Sequence, residues 1–261
     1  QDHPFETEAA QFAKAKIPFY VCPGNSTWQT MIGKHDNGLA NLRAAARAGK
    51  KFGAIGFLNT DWGDGGHPQP LAVSWPLFAA GAALAWNSRA WDENALLASL
   101  SRDVFGDSTG RMAGAAFKLG FVHQKLGVKA LNETPLGTVI AAPKPEDREL
   151  FCRNGLKWFA KISEKKIVAT LDEIQRQRAV LARAKPETDS GKLLARELDL
   201  GAWMAAESCH FMLWQQAVAA GKASQAKKLA QRGFRELRKL EKEFKGYWPW
   251  RNKATPKHSS P

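Results

Sequence analysis

The sequence predicts an α/β segment followed by an all-α one: two βα units in residues 1–91, a helical bundle in residues 92–246 and a tail over 247–261. Three observations carry this. Short apolar runs alternate with amphipathic ones before residue 92, strand-like runs stop there, and the charge changes in the same region. Residues 1–105 hold nine basic and nine acidic residues, so the whole formal net charge of +13 falls after Phe105. A step in composition of that kind marks a domain boundary.

Taken in order, "TEAAQFAKAK" reads as a helix, "IPFYVC" as a strand and "DNGLANLRAAARAGK" as a helix opened by Asp36 and closed near Gly49. "FGAIGFLN" is a second strand, and "SWPLFAAGAALAW" a helix capped by Ser74. Both strands are short and apolar without a clean period of two. Parallel strands covered by helices on one face and by a packed interior on the other look like this, and such βα units build either a barrel or an open sheet.

Beyond residue 92 helical patterns follow at roughly 92–104, 110–126, 146–161, 163–184, 192–220 and 223–245. Leu193, Leu194, Leu198, Trp203, Phe211 and Trp214 recur near helical spacing. In "KKLAQRGFRELRKLEKEFK" the basic residues fall largely opposite Leu229, Phe234, Leu237, Leu240 and Phe244. A loop is expected between Gly127 and Pro145, and "TPKHSSP" is expected to be disordered. No internal repeat is visible.

Composition narrows the function. A hydrophobic content of 44% supplies a sizeable core. No window reaches the roughly 18 uninterrupted apolar residues of a bilayer span, and the first residues lack a secretory signal, so no membrane partner is expected. Cys22, Cys152 and Cys209 are odd in number and far apart, which favours reduced, buried thiols and a cytoplasmic compartment over a disulfide framework. The basic residues are interspersed with acidic ones in the same helices and no nucleic-acid motif occurs. They read as solvated helix faces, and nucleic acid is not expected as a partner. A homodimer through the helical domain is the assembly expected.

The residues able to carry chemistry sit after the strands, where the C-terminal strand ends of parallel βα units face a ligand. "CPGNSTW" follows the first strand and "NTDWGDGGH" the second. Trp28 and Trp62 together make an aromatic wall that suits the C–H face of a pyranose. Asp61 and Asp64 accept hydrogen bonds from hydroxyls, and Asn59 and His67 donate or accept. Asp61, Asp64 and His67 are spaced i, i+3, i+6 without a second cluster to complete a shell, so no metal is expected. "GDGG" lacks the spaced glycines and Lys of a phosphate loop. Cys22 has no partner that would activate it, and no cofactor is implied.

"FYVCPGNSTW", "GAIGFLNTDWGDGGH" and "PLAVSWPLFAAGAALAWN", in this order, resemble the last two barrel strands of the β-N-acetylhexosaminidases of glycoside hydrolase family 20. The branch resembled more closely is the bacterial exo-β-N-acetylglucosaminidases with a helical domain after the barrel. The likeness covers about residues 1–90, and the helical part ending in "GYWPWRNK" is similar in character only. It implies a TIM (β/α)8 barrel and substrate-assisted, retaining hydrolysis of terminal β-linked GlcNAc or GalNAc from glycans. The 2-acetamido oxygen attacks the anomeric carbon, an Asp orients the amide and a Glu protonates the leaving oxygen. Trp62 and Asp64 match the family's Trp-x-carboxylate at the end of strand eight, with Asp where many relatives carry Glu. "QDHPF" resembles the end of strand six, which places Asp2 and His3 beside the pocket.

The catalytic Asp-Glu pair follows strand four in that family and has no counterpart here. The chain is therefore expected to be the C-terminal part of an incomplete barrel, supplying sugar-binding residues, and inactive alone. Two alternatives compete: a non-catalytic basic helical module binding nucleic acid or an acidic polymer, and a barrel glycosidase of another family.

Overall fold

The computed structural model describes residues 3–63, 67–89, 91–128, 133–138 and 162–253. Within them the chain is mostly helical, with two short parallel strands. Helix α1 (Glu6–Lys14) leads into β1 (Tyr20–Val21), α2 (His35–Phe52) crosses over, and β2 (Gly56–Phe57) pairs Tyr20 with Gly56 and Val21 with Phe57. The pairing outruns the strands. Leu58 N–H donates to Val21 C=O, Thr60 N–H to Pro23 C=O and Asn25 N–H to Thr60 C=O, each at 2.9 Å, so the two strand-end loops stay in register.

Alternation along the strands decides what each face meets. Val21 packs against α2 at Gly49, where a side chain would press on its methyls, while Tyr20, Cys22 and Leu58 stay exposed on the other face. Tyr20 lies across Gly56, and the face stays more than half exposed at Tyr20 and Leu58. The second covering layer expected from the sequence is thus not supplied by these residues. Cys22 is exposed for the same reason, contrary to the expectation of buried thiols, whereas Cys209 is buried in α8 and Cys152 lies outside the described residues.

Two helix ends differ from the sequence reading. A 3₁₀ turn over Leu71–Ser74 runs straight into α3 (Trp75–Trp86), so Ser74 is itself helical and makes no capping bond. Its hydroxyl donates to Asp61 instead. Asp36 lies inside the first turn of α2, its carboxylate 2.9 Å from His123 Nε2 and 3.1 Å from Gln124 Nε2. That helix runs past Gly49 and closes at Gly53, whose φ of 73° is the left-handed conformation glycine adopts without strain.

The helical part begins with α4 (Glu93–Ser99), capped by Asp92 and prolonged as a π turn over Leu100–Val104. After α5 (Arg111–Leu119) and a 3₁₀ turn over Val122–Leu126 comes the four-residue α6 (Pro135–Thr138). Helices α7 (Glu164–Leu181) and α8 (Asp189–Ala219) start at Ser163 and Thr188, whose hydroxyls accept from Lys166 N–H and Gly191 N–H. Helix α9 (Ala223–Tyr247) folds back on α8 through Gly221. Arg196 pairs with Glu243 and Arg232 with Glu207, at matched distances from the turn, which fixes an antiparallel register. The helix expected over 146–161 and the "TPKHSSP" tail lie outside the described residues.

One buried apolar cluster runs from Met31 and Leu42 through Leu77, Phe105 and Met112 to Leu198, Leu240 and Tyr247. Packing is therefore continuous across the change in element type. The described residues after 246 stay packed as well. Tyr247 and Trp248 are buried, and Arg251 grips the fully buried Glu197 through Nε at 2.6 Å and a second guanidinium nitrogen at 3.1 Å.

Candidate functional site

The loop after β1, Pro23 to Lys34, is buried almost throughout, where the sequence suggested an open ligand-facing loop. It turns through left-handed conformations at Ser26 (φ 61°), Gln29 (φ 56°) and Met31 (φ 64°), each costing on the order of 1 kcal/mol. Close approaches on three sides hold it there. A side chain at Gly38 of α2 would collide with the Asn25 carbonyl, and one at Gly137 of α6 with that of Gln29. At Gly201 of α8 a Cβ would stand 2.7 Å from the Met31 carbonyl oxygen. Small residues on three helices thus clamp a strained strand-end loop between the βα units and the bundle.

Asp61 is the hub that joins this loop to the next. Its carboxylate accepts from Thr27 Oγ1 at 2.7 Å and from Ser74 Oγ at 2.5 Å, and lies 3.5 Å from His67 Nε2. Burial alone would raise the Asp61 pKa. The groups donating from His67, Ser74 and Thr27 outweigh it and hold the carboxyl below its usual range. For His67 burial works downward, but the Asp61 carboxylate beside it carries the imidazole pKa above the ordinary value. His67 also sits at φ 51° ahead of Pro68, in the left-handed region that a non-glycine residue seldom adopts.

Trp62 and Trp28 border one cavity of about 550 Å³, together with His3, Glu8, Tyr20 and Cys22. The two indoles do not contribute equally. Trp62 is 59% exposed and anchored by Nε1 donating to Thr60 Oγ1 at 3.1 Å, whereas Trp28 is only 6% exposed. The Nε1 of Trp28 has no hydrogen-bond partner among the described residues. His3 lies at the cavity rim, 3.4 Å from Glu8.

Of the six binding residues expected from sequence, the structure brings Trp62 and Trp28 to one cavity, and Asp61 and His67 to each other. Asn59 points elsewhere: its Nδ2 donates to the Leu77 carbonyl at 3.0 Å and its amide fills the space over Gly81 of α3. Asp64 and Asp2 lie outside the described residues. Sequence reasoning missed Thr27, Thr60 and Ser74 as the polar ties of the loops. The signal was the hydroxyl run of "NSTW", while Ser74 gave none because its position reads as a cap. Among the described residues no group of three His, Cys, Asp or Glu side chains converges as a metal shell, and no helix is long and apolar enough to cross a membrane.

No family model, curated protein or solved structure matches the chain.

Proposed function

We propose that this chain supplies two of the eight βα units of a barrel glycosidase, of the β-N-acetylhexosaminidase type, and with them the floor and wall that hold the terminal sugar. The observation that carries the reading is the pair of indoles at one cavity, presented at the C-terminal ends of two parallel strands whose loops are locked in register. The exposed face of Tyr20, Cys22 and Leu58 is a second support. A closed barrel buries such a face with side chains from the remaining strands and leaves no free edge.

In this reading Trp62 stacks on the pyranose, with its ring orientation fixed through Thr60. Asp64, two residues on, accepts from the distal hydroxyls. Asp61 is held by three neighbours and does no proton chemistry; it keeps the platform loop in place. The acid and the residue orienting the 2-acetamido group come from other strands of the barrel, and the catalytic role is assigned to none of the residues described here.

The test is hydrolysis of a chromogenic N-acetyl-β-glucosaminide by the full gene product and by its Trp62→Ala and Asp64→Ala variants. Losing the aromatic platform should lower kcat/KM about tenfold or more, the equivalent of roughly 1.4 kcal/mol. Unchanged kinetics in both variants would remove these residues from the pocket. Robust turnover by the 261-residue chain alone would refute the division of labour.

A further inference from the structure

The α8–α9 hairpin leaves an apolar groove of about 140 Å³ on its outer side, with Phe211 and Trp214 on one wall and Leu229, Phe234 and Leu237 on the other. Phe234 is 68% and Leu237 44% exposed, although helix α9 turns other apolar residues such as Leu240 inward. Both walls are helix faces, Phe211 and Trp214 on α8 and Phe234 and Leu237 on α9, and an apolar slot of this kind is what the apolar face of an amphipathic helix enters.

Charge says what kind of helix fits. Helix α9 carries eight Lys or Arg and three Glu. The acidic members are already engaged, Glu236 by Lys239, Glu241 by Lys245 and Glu243 by Arg196. Lys227 and Arg238 share the face of Phe234, seven residues before it and four after, and both are exposed with no ion pair among the described residues. The outer lip of the groove is therefore apolar flanked by free positive charge. A second copy would bring two such basic lips together, so like-charge repulsion disfavours it.

We propose that this groove docks an amphipathic helix with acidic flanks from another protein, its apolar residues entering between α8 and α9 and its carboxylates meeting Lys227 and Arg238. This surface is separate from the strand-end cavity and does not depend on the glycosidase reading.

Fluorescence anisotropy with two labelled 16-residue peptides tests it, one with Leu at i, i+4, i+7 and i+11 and Glu elsewhere, the other with Lys in place of Glu. The Glu peptide should bind and the Lys peptide should not. Phe234→Ala with Leu237→Ala, both exposed positions, should weaken binding at least tenfold, as should Lys227→Glu with Arg238→Glu. Added salt should weaken it too. No binding of the Glu peptide at 1 mM would overturn the proposal, and so would binding untouched by the Phe234 and Leu237 changes. A dimer in sedimentation velocity that Phe234→Glu dissolves would assign the groove to a second copy instead. Tight, salt-sensitive binding of duplex DNA in place of the Glu peptide would assign the basic face to a polyanion.

Discussion

Arg251→Ala should cost this protein more than any surface charge change. Glu197 is fully buried in α8, and Arg251 is the cation that neutralises it, through two hydrogen bonds of 2.6 and 3.1 Å. Burial and the same carboxylate also push the Tyr247 phenol up, so the pocket is one coupled unit. Removing the guanidinium leaves a buried carboxylate without its cation and with only the Tyr247 hydroxyl beside it, a change worth about 3–5 kcal/mol. For a chain of this size that corresponds to a fall in Tm of roughly 6–20 °C, read by differential scanning calorimetry or Trp fluorescence. Replacing both members, Glu197→Leu with Arg251→Leu, should recover most of the loss, because no lone charge is then left inside. Two results would refute the reasoning. A Tm within 2 °C of wild type for Arg251→Ala would mean that the pair behaves as an exposed one, and a double variant as unstable as the single would mean that the charge was not the cause.

Three further outcomes are expected. A methyl at Gly120 would enter the ring of His35, which is fully buried, so Gly120→Ala should destabilise by about 1–3 kcal/mol in urea melts, while Gly233→Ala, where a Cβ meets nothing, should not. Burial lowers the His35 pKa to about 4, below the 6.5 of the unfolded chain. The folded state thus refuses a proton that the unfolded state takes up, and stability should fall by up to roughly 3 kcal/mol as pH drops from 6.5 to 4, and by less in His35→Phe, which has no group there to titrate. His67 has the opposite sign: its pKa is raised, so its contact with Asp61 stabilises at low pH and is lost as pH rises through the folded-state value. An NMR titration should put its pKa above 6.5, and Asp61→Asn should bring it down.

Much of the architecture was legible because it is local. Apolar runs ended by Gly and Asn loops marked β1 and β2, and helical periodicity placed α7, α8 and α9 to within a few residues. Caps were less legible. Ser74 and Asp36 stand where capping residues stand, yet tertiary partners, Asp61 for one and His123 for the other, claim their oxygens. The candidate site was half readable. "NTDWGDGGH" drew notice to Trp62, Asp61 and His67, but nothing local joins Asp61 to His67, exposes the Trp62 indole, turns Asn59 toward α3 or sinks Trp28.

The sequence by itself determined that two βα units precede helices, that the charge excess lies after residue 105 and that Trp residues follow both strands, since each of these is a matter of order and composition. Only the tertiary structure decided that the first strand-end loop is clamped and the second presents its indole. The clamp is made by Gly38, Gly137 and Gly201, which are single small residues on three helices far apart in the chain. Their meaning lies in what approaches them, and approach at van der Waals distance is a property of packing that no local pattern encodes.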